Sequence, residues 1–147
     1  MCYSIYVATT SSRDLAAHVG TRIQFERDLW TPEPAALELL IYPNRWFLTR
    51  EFGGCSCHFR HVAEINDPLF EPYAEWQATD PDDLEATWEA FEVFRSLVEA
   101  GEGLEVMNLW EDPSPDKVRS FEVNLSKIPP NAFQFVENGR LHFRPAS

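Results

Sequence analysis

The chain has 147 residues, enough for one domain with a buried core, and 44% of them are apolar, with five Trp, four Tyr and eleven Phe. That composition excludes wholesale disorder, a coiled coil, a collagen-like repeat and a small disulfide-stapled scaffold. Twenty-four acidic residues stand against twelve basic ones, a formal charge of −12, which argues against a phosphate-backbone binder and hence against nucleic acid as a partner.

Near the start, Tyr3, Ile5 and Val7 alternate with Ser4 and Tyr6, the pattern of an opening strand. TTSS at 9–12 ends it, and a short helix through Leu15, Ala16 and Val19 follows, with Ser11 and Asp14 as capping residues. The stretch from Thr21 to Trp30 reads equally as helix or loop, and Pro32 and Pro34 stop any continuation. Ala36 to Ile41 and Arg45 to Arg50 read as paired strands around a turn at Tyr42, Pro43 and Asn44, and Cys55 to Val62 as a third strand completing a meander. Asp67, Pro68, Glu71 and Pro72 then interrupt the chain, with at most a short aromatic helix at Tyr73 and Trp76.

The clearest element is a long amphipathic helix over about residues 81–100. Asp80 can cap it, Pro81 suits its first position, and Asp82 and Asp83 lie near the positive end of its dipole. Its apolar stripe runs through Leu84, Trp88, Phe91, Phe94 or Arg95, and Val98, and Gly101 or Gly103 can end it. Leu104 to Trp110 is a strand, and Phe121, Val123 and Leu125 alternate with polar neighbours in another. Asn138 and Gly139, both tolerant of positive φ, join the arms of a C-terminal hairpin over 132–144. These elements predict a single α+β domain over 1–147: a mostly antiparallel sheet with one long helix packed on a face.

No apolar run is long enough to span a bilayer and no secretory leader is legible, so the sequence predicts a cytoplasmic protein that makes no membrane contact. Cys2, Cys55 and Cys57 are too few and too close for a disulfide framework and are expected to be free thiols.

Two groups of residues carry functional readings. From Ala63 to Phe94 there are ten acidic residues and no basic one. The leading expectation is a noncatalytic, acidic protein-binding module of inhibitor, immunity or adaptor type, with no cofactor. In it Glu85, Glu89 and Glu92 steer a basic protein toward the surface and Trp76 supplies the short-range contact. The bland reading of the same carboxylates is a solvated helix face.

The second group is GGCSCHFRH at 53–61, whose Cys55, Cys57, His58 and His61 form a donor set for zinc or another thiophilic metal, in a small metal-binding protein or enzyme. In an extended strand Cys55, Cys57 and His61 share one face and His58 points to the other. Structural zinc sites ordinarily draw further ligands from a second segment, and none is evident. The same cysteines read more simply as small core residues. A cysteine nucleophile would need His18, His58, His61 or His142 as its base. A homo-oligomeric structural role, with a homodimer as its simplest form, is the third reading. Phosphate cradles, dinucleotide fingerprints, His-Glu-x-x-His pairs and nucleophile elbows are absent from the sequence.

Overall fold

The structure is a computed structural model, and it describes residues 2–18, 20, 22–27, 29, 33–50, 54–62, 80–129 and 132–144. The strands are β1 (Tyr3–Thr9), β2 (Gln24–Glu26), β3 (Asn44–Thr49), β4 (His61–Val62), β5 (Leu104–Trp110), β6 (Arg119–Val123), β7 (Phe135–Val136) and β8 (Gly139–Phe143), and the helix is α1 (Pro81–Glu99). Among the described residues, six strands form one sheet in the order β2-β3-β1-β5-β8-β6, antiparallel except where β6 runs parallel to β8. The fold is α+β, with the 19-residue α1 packed on one face of this sheet.

The boundaries of α1 follow from local chemistry. Asp80 Oδ1 accepts the Asp82 amide at 2.8 Å, Pro81 needs no partner for a missing N–H, and Asp82 and Asp83 occupy the first turn. At the other end Gly101 takes φ +85°, its amide donates to Val98 O and that of Glu102 to Leu97 O, a Schellman closure in which only glycine avoids Cβ strain. The buried face is wider than a single stripe: Ala86, Ala90, Val93 and Leu97 join Leu84, Phe91, Phe94 and Val98, while Trp88 is half-buried.

β1 and β5 are the central strands, and packing covers both of their faces. Ile5, Val7, Trp46, Leu48, Leu104, Val106, Leu141 and Phe143 pack toward α1 together with Phe133 and Phe135. Tyr6, Ala8, Phe47, Met107 and Leu109 pack on the opposite face against Ala36, Leu37 and Leu40. Those last three correct the expected strand at 36–41. Pro34 opens a 3-10 helix over Ala35–Leu39 instead, and its clustered apolar side chains cap the second face of the sheet rather than extending it.

Other departures have equally local causes. The helix after TTSS is a single 3-10 turn, Leu15–Ala17, in which Asp14 accepts the Ala16 amide at 3.1 Å and Ser11 Oγ serves Arg13 N. The undecided stretch after it supplies the short edge strand β2. Leu125 lies outside β6, in a 3-10 turn opened by Asn124. The C-terminal hairpin forms from β7 and β8, reversing at Glu137 and Asn138 with Asn138 at φ 50°. Its arms belong to different sheets: β8 sits in the main one, and β7 pairs with β4 in parallel. Trp30, Val19 and the segment containing Glu71, Tyr73, Glu75 and Trp76 lie outside the described residues. No helix among the described residues is long and apolar enough to cross a membrane.

Candidate metal centre

The expected third strand over Cys55–Val62 does not form as such. β1 extends beyond its last pairing with β3 (Ile5 with Leu48), and the loop 54–60 fills the vacated edge. Side chains replace part of the ladder there. Ser56 N–H donates to Tyr3 O (2.9 Å), Ile5 N–H donates to Ser56 Oγ (2.9 Å), and Tyr3 N–H donates to Cys57 Sγ (3.3 Å). Ser56 is fully buried and its hydroxyl also donates to Leu48 O, so this one residue pins the loop to both β1 and β3. Farther along, Arg60 N–H donates to Thr87 Oγ1 of α1 at 2.7 Å and Arg60 O accepts from Phe135 N. Only His61 and Val62 are strand, and their partner is β7 rather than β3.

This path brings Cys55 and Cys57 beside Cys2, with the three Sγ atoms all within 4.8 Å of one another. Cys55 and Cys57 are half-buried, Cys2 is exposed, and all three are free. The Cys55 and Cys57 sulfurs are 2.9 Å apart, in S–H···S contact. Burial works against ionisation of Cys55, but hydrogen bonds from Cys57 and Cys2 outweigh it and hold its thiol below the ordinary value. Burial, together with the proton shared with Cys55, pushes Cys57 up to about 12. The trio therefore holds one sulfur that ionises more easily than an ordinary thiol and one that keeps its proton unless a cation displaces it.

The histidines of the predicted donor set separate. His61 lies outside the sulfur cluster: its Nε2 bonds Ser56 O at 2.7 Å and its Nδ1 bonds the Asn108 side-chain amide at 2.9 Å. With Nδ1 accepting from the amide, Nε2 carries the proton, and both ring nitrogens are occupied. Burial, opposed by the bond to Ser56, lowers its pKa to about 4, so the ring is neutral. His58 is exposed, and its backbone carbonyl accepts from Arg50 at 2.8 Å. It lines, with Cys55, Arg50, Gly54, Asp80, Asp82 and Asp83, a cleft of about 400 Å³. His18 and His142 stand elsewhere, bonded to Glu89 and to Tyr42 and Glu122.

Cys2 is the sulfur that sequence reasoning left out. It supplies the donor from a second segment that a Cys-x-Cys pair lacks, and its signal was only its position just before a strand. Glu111 N–H donates to Cys2 O at 3.1 Å, which fixes the backbone of that residue against the end of β5.

The helix carboxylates named for partner binding are engaged within the chain. Glu85 pairs with Arg22 (2.5 Å), Glu89 with His18 (2.9 Å) and Glu92 with Arg95 (3.1 Å). Trp76 lies outside the described residues. No protein-family model, no curated protein and no solved structure matches this chain.

Proposed function

We propose that this protein binds a thiophilic metal ion through Cys2, Cys55 and Cys57. The supporting observation is the convergence of three free sulfurs from two distant segments within 4.8 Å. A metal about 2.3 Å from each sulfur sets neighbouring sulfurs about 3.8–4 Å apart, so the Cys55/Cys57 contact opens by about 1 Å on loading. Thiolates favour soft and borderline ions, zinc and monovalent copper first among the common ones, over magnesium or calcium. Three donors leave a position free on an ion that prefers four, the arrangement of sites that exchange ligands rather than of closed structural sites.

The reading of α1 as a docking surface for a basic protein rests on charge alone. Glu85, Glu89 and Glu92 are each paired internally, which leaves less unbalanced field than the sequence count implies.

Titration of the reduced protein with Co(II) and Cd(II), followed by sulfur-to-metal charge-transfer absorbance, tests the proposal. One ion per chain is expected, and Cys2→Ser, Cys55→Ser and Cys57→Ser should each weaken binding at least 100-fold while leaving the far-ultraviolet dichroism unchanged. Absence of charge-transfer bands at stoichiometric metal, or binding indifferent to all three substitutions, would sink it.

A further inference from the structure

Resting on that metal reading, we infer that the fourth position of the bound ion is filled from outside the chain, by the sulfur of a small zwitterionic thiol of amino-acid or peptide type seated in the cleft beside Cys55. Three observations lead there. Among the described residues, no fourth His, Cys, Asp or Glu joins the sulfur cluster. The nearest imidazole in sequence on the buried side, His61, has both nitrogens committed to Ser56 and Asn108, so recruiting it would break two bonds and unpin the loop. Cys55 itself forms part of the wall of an open cleft of about 400 Å³, within the size range of small-ligand sites.

The remaining walls give the class of ligand. Arg50 reaches into the cleft, its guanidinium anchored by Asp83 at 2.9 Å and by the His58 carbonyl, and offers a cation to a ligand carboxylate. Asp82 shares the Arg22 guanidinium, at 3.1 Å, with Glu85 at 2.5 Å. Asp80 is exposed and keeps one carboxylate oxygen beyond the one that caps α1, an anion for a ligand ammonium group. A thiol carrying both charges matches this pair, and a bare alkyl thiol does not.

The exchange step is redox-neutral. The incoming thiol gives its proton to solvent, its sulfur forms a bond to the metal, and the water held at that position leaves. Withdrawal of the ion by further thiol repeats the same substitution at the protein sulfurs, each of which takes up a proton on release.

The test uses the full chain loaded with one equivalent of cadmium-113. Its resonance is followed as glutathione or 2-mercaptoethanol is added, and cadmium transfer to a chelator is timed in parallel. The expected result is a shift toward the four-sulfur region on adding glutathione, with a transfer rate first order in thiol and at least tenfold faster for glutathione than for mercaptoethanol at equal thiolate. Asp80→Asn, which retains a capping side chain, should reduce that preference several-fold and leave the mercaptoethanol rate alone. His58→Ala should leave the cadmium resonance without thiol unchanged. A resonance insensitive to thiol, or one that moves in the His58 variant, would mean a protein ligand fills the fourth position and would overturn the inference while leaving the metal reading intact. Equal rates for both thiols would overturn the zwitterionic class. Failure to bind cadmium at all would remove both readings.

Discussion

The imidazole of His61 lies flat on the phenol ring of Tyr3, centroids 3.8 Å apart and planes within 6° of parallel. Tyr3 is the residue between Cys2 and β1's inner positions, and His61 closes the loop that carries Cys55 and Cys57, so this stack joins the two segments that hold the sulfurs. The Tyr3 hydroxyl donates to Glu137 at 2.6 Å, which fixes the ring on which the imidazole rests. His61 thus acts on the site by holding the Ser56 carbonyl in place, with its ring neutral.

That neutrality gives stability a definite pH dependence. His61 titrates at about 4 in the folded protein and near its ordinary 6.5 when unfolded. Above pH 6.5 both states carry a neutral ring; between 6.5 and about 4 only the unfolded chain takes up the proton, so the contribution is lost as pH falls through this window. The shift corresponds to roughly 3 kcal/mol. Urea denaturation at pH 7 and pH 4 should show His61→Gln losing less stability over this interval than the parent, by about that amount. Parallel pH profiles would refute a buried neutral imidazole.

Ser56 concentrates three backbone attachments in one small residue. Replacing it by alanine leaves the Ile5 amide and the Leu48 carbonyl without their side-chain partner in a fully buried setting, an expected cost of about 2 kcal/mol. Because the same bonds set the path from Cys55 to Cys57, Ser56→Ala should also weaken cadmium binding by an order of magnitude. Ser56→Thr, which keeps the hydroxyl, should recover much of the binding. Stability lost with metal affinity intact would show that the loop holds its sulfurs without this anchor.

The metal-free thiols should react in a fixed order. Cys55 is held below the ordinary thiol value and Cys57 is pushed up to about 12, so of these two thiols Cys55 is the one that ionises first. Initial rates of iodoacetamide labelling, read by peptide mass spectrometry, should favour Cys55 over Cys57 at least tenfold. In Cys55→Ser burial still holds the Cys57 thiol up, but the contribution of its neighbour is removed, and it should label faster than in the parent. A reversed order would require the shared proton to sit on the other sulfur.

Much of the fold could be read before the structure because its signals are local. The Asp80-Pro81 start, the glycine stop at 101 and the alternations in β1 and β5 need no knowledge of neighbours. The 36–41 stretch reads as strand because its apolar residues say that it is buried, not on which side of the sheet or in what backbone form. The site was half legible. Cys-x-Cys announces two soft donors, but their third partner, Cys2, is distant in sequence, and only the pairing of Tyr3 with the 55–57 loop brings it near. His61 looked like a ligand because its type and spacing allow it. Its removal from that role comes from Asn108 on β5, which no local pattern connects to it.

On the sheet face away from α1, Glu105 is completely buried, and its carboxylate accepts Arg140 Nη2 at 2.7 Å and the Ile41 amide at 3.1 Å. Arg140 is itself mostly shielded, so the pair ties β8 to β5 and to the end of the 3-10 segment that covers this face. Removing the cation alone strands a charge that water cannot reach, and Arg140→Met should cost about 3–5 kcal/mol. Changing both partners together, Glu105→Leu with Arg140→Met, removes the buried charge and leaves only the Ile41 amide short of an acceptor. The double variant should therefore be more stable than Arg140→Met alone, a non-additivity that chemical denaturation of the single and double variants measures directly. Additive losses would mean that Glu105 and Arg140 contribute independently rather than as a pair.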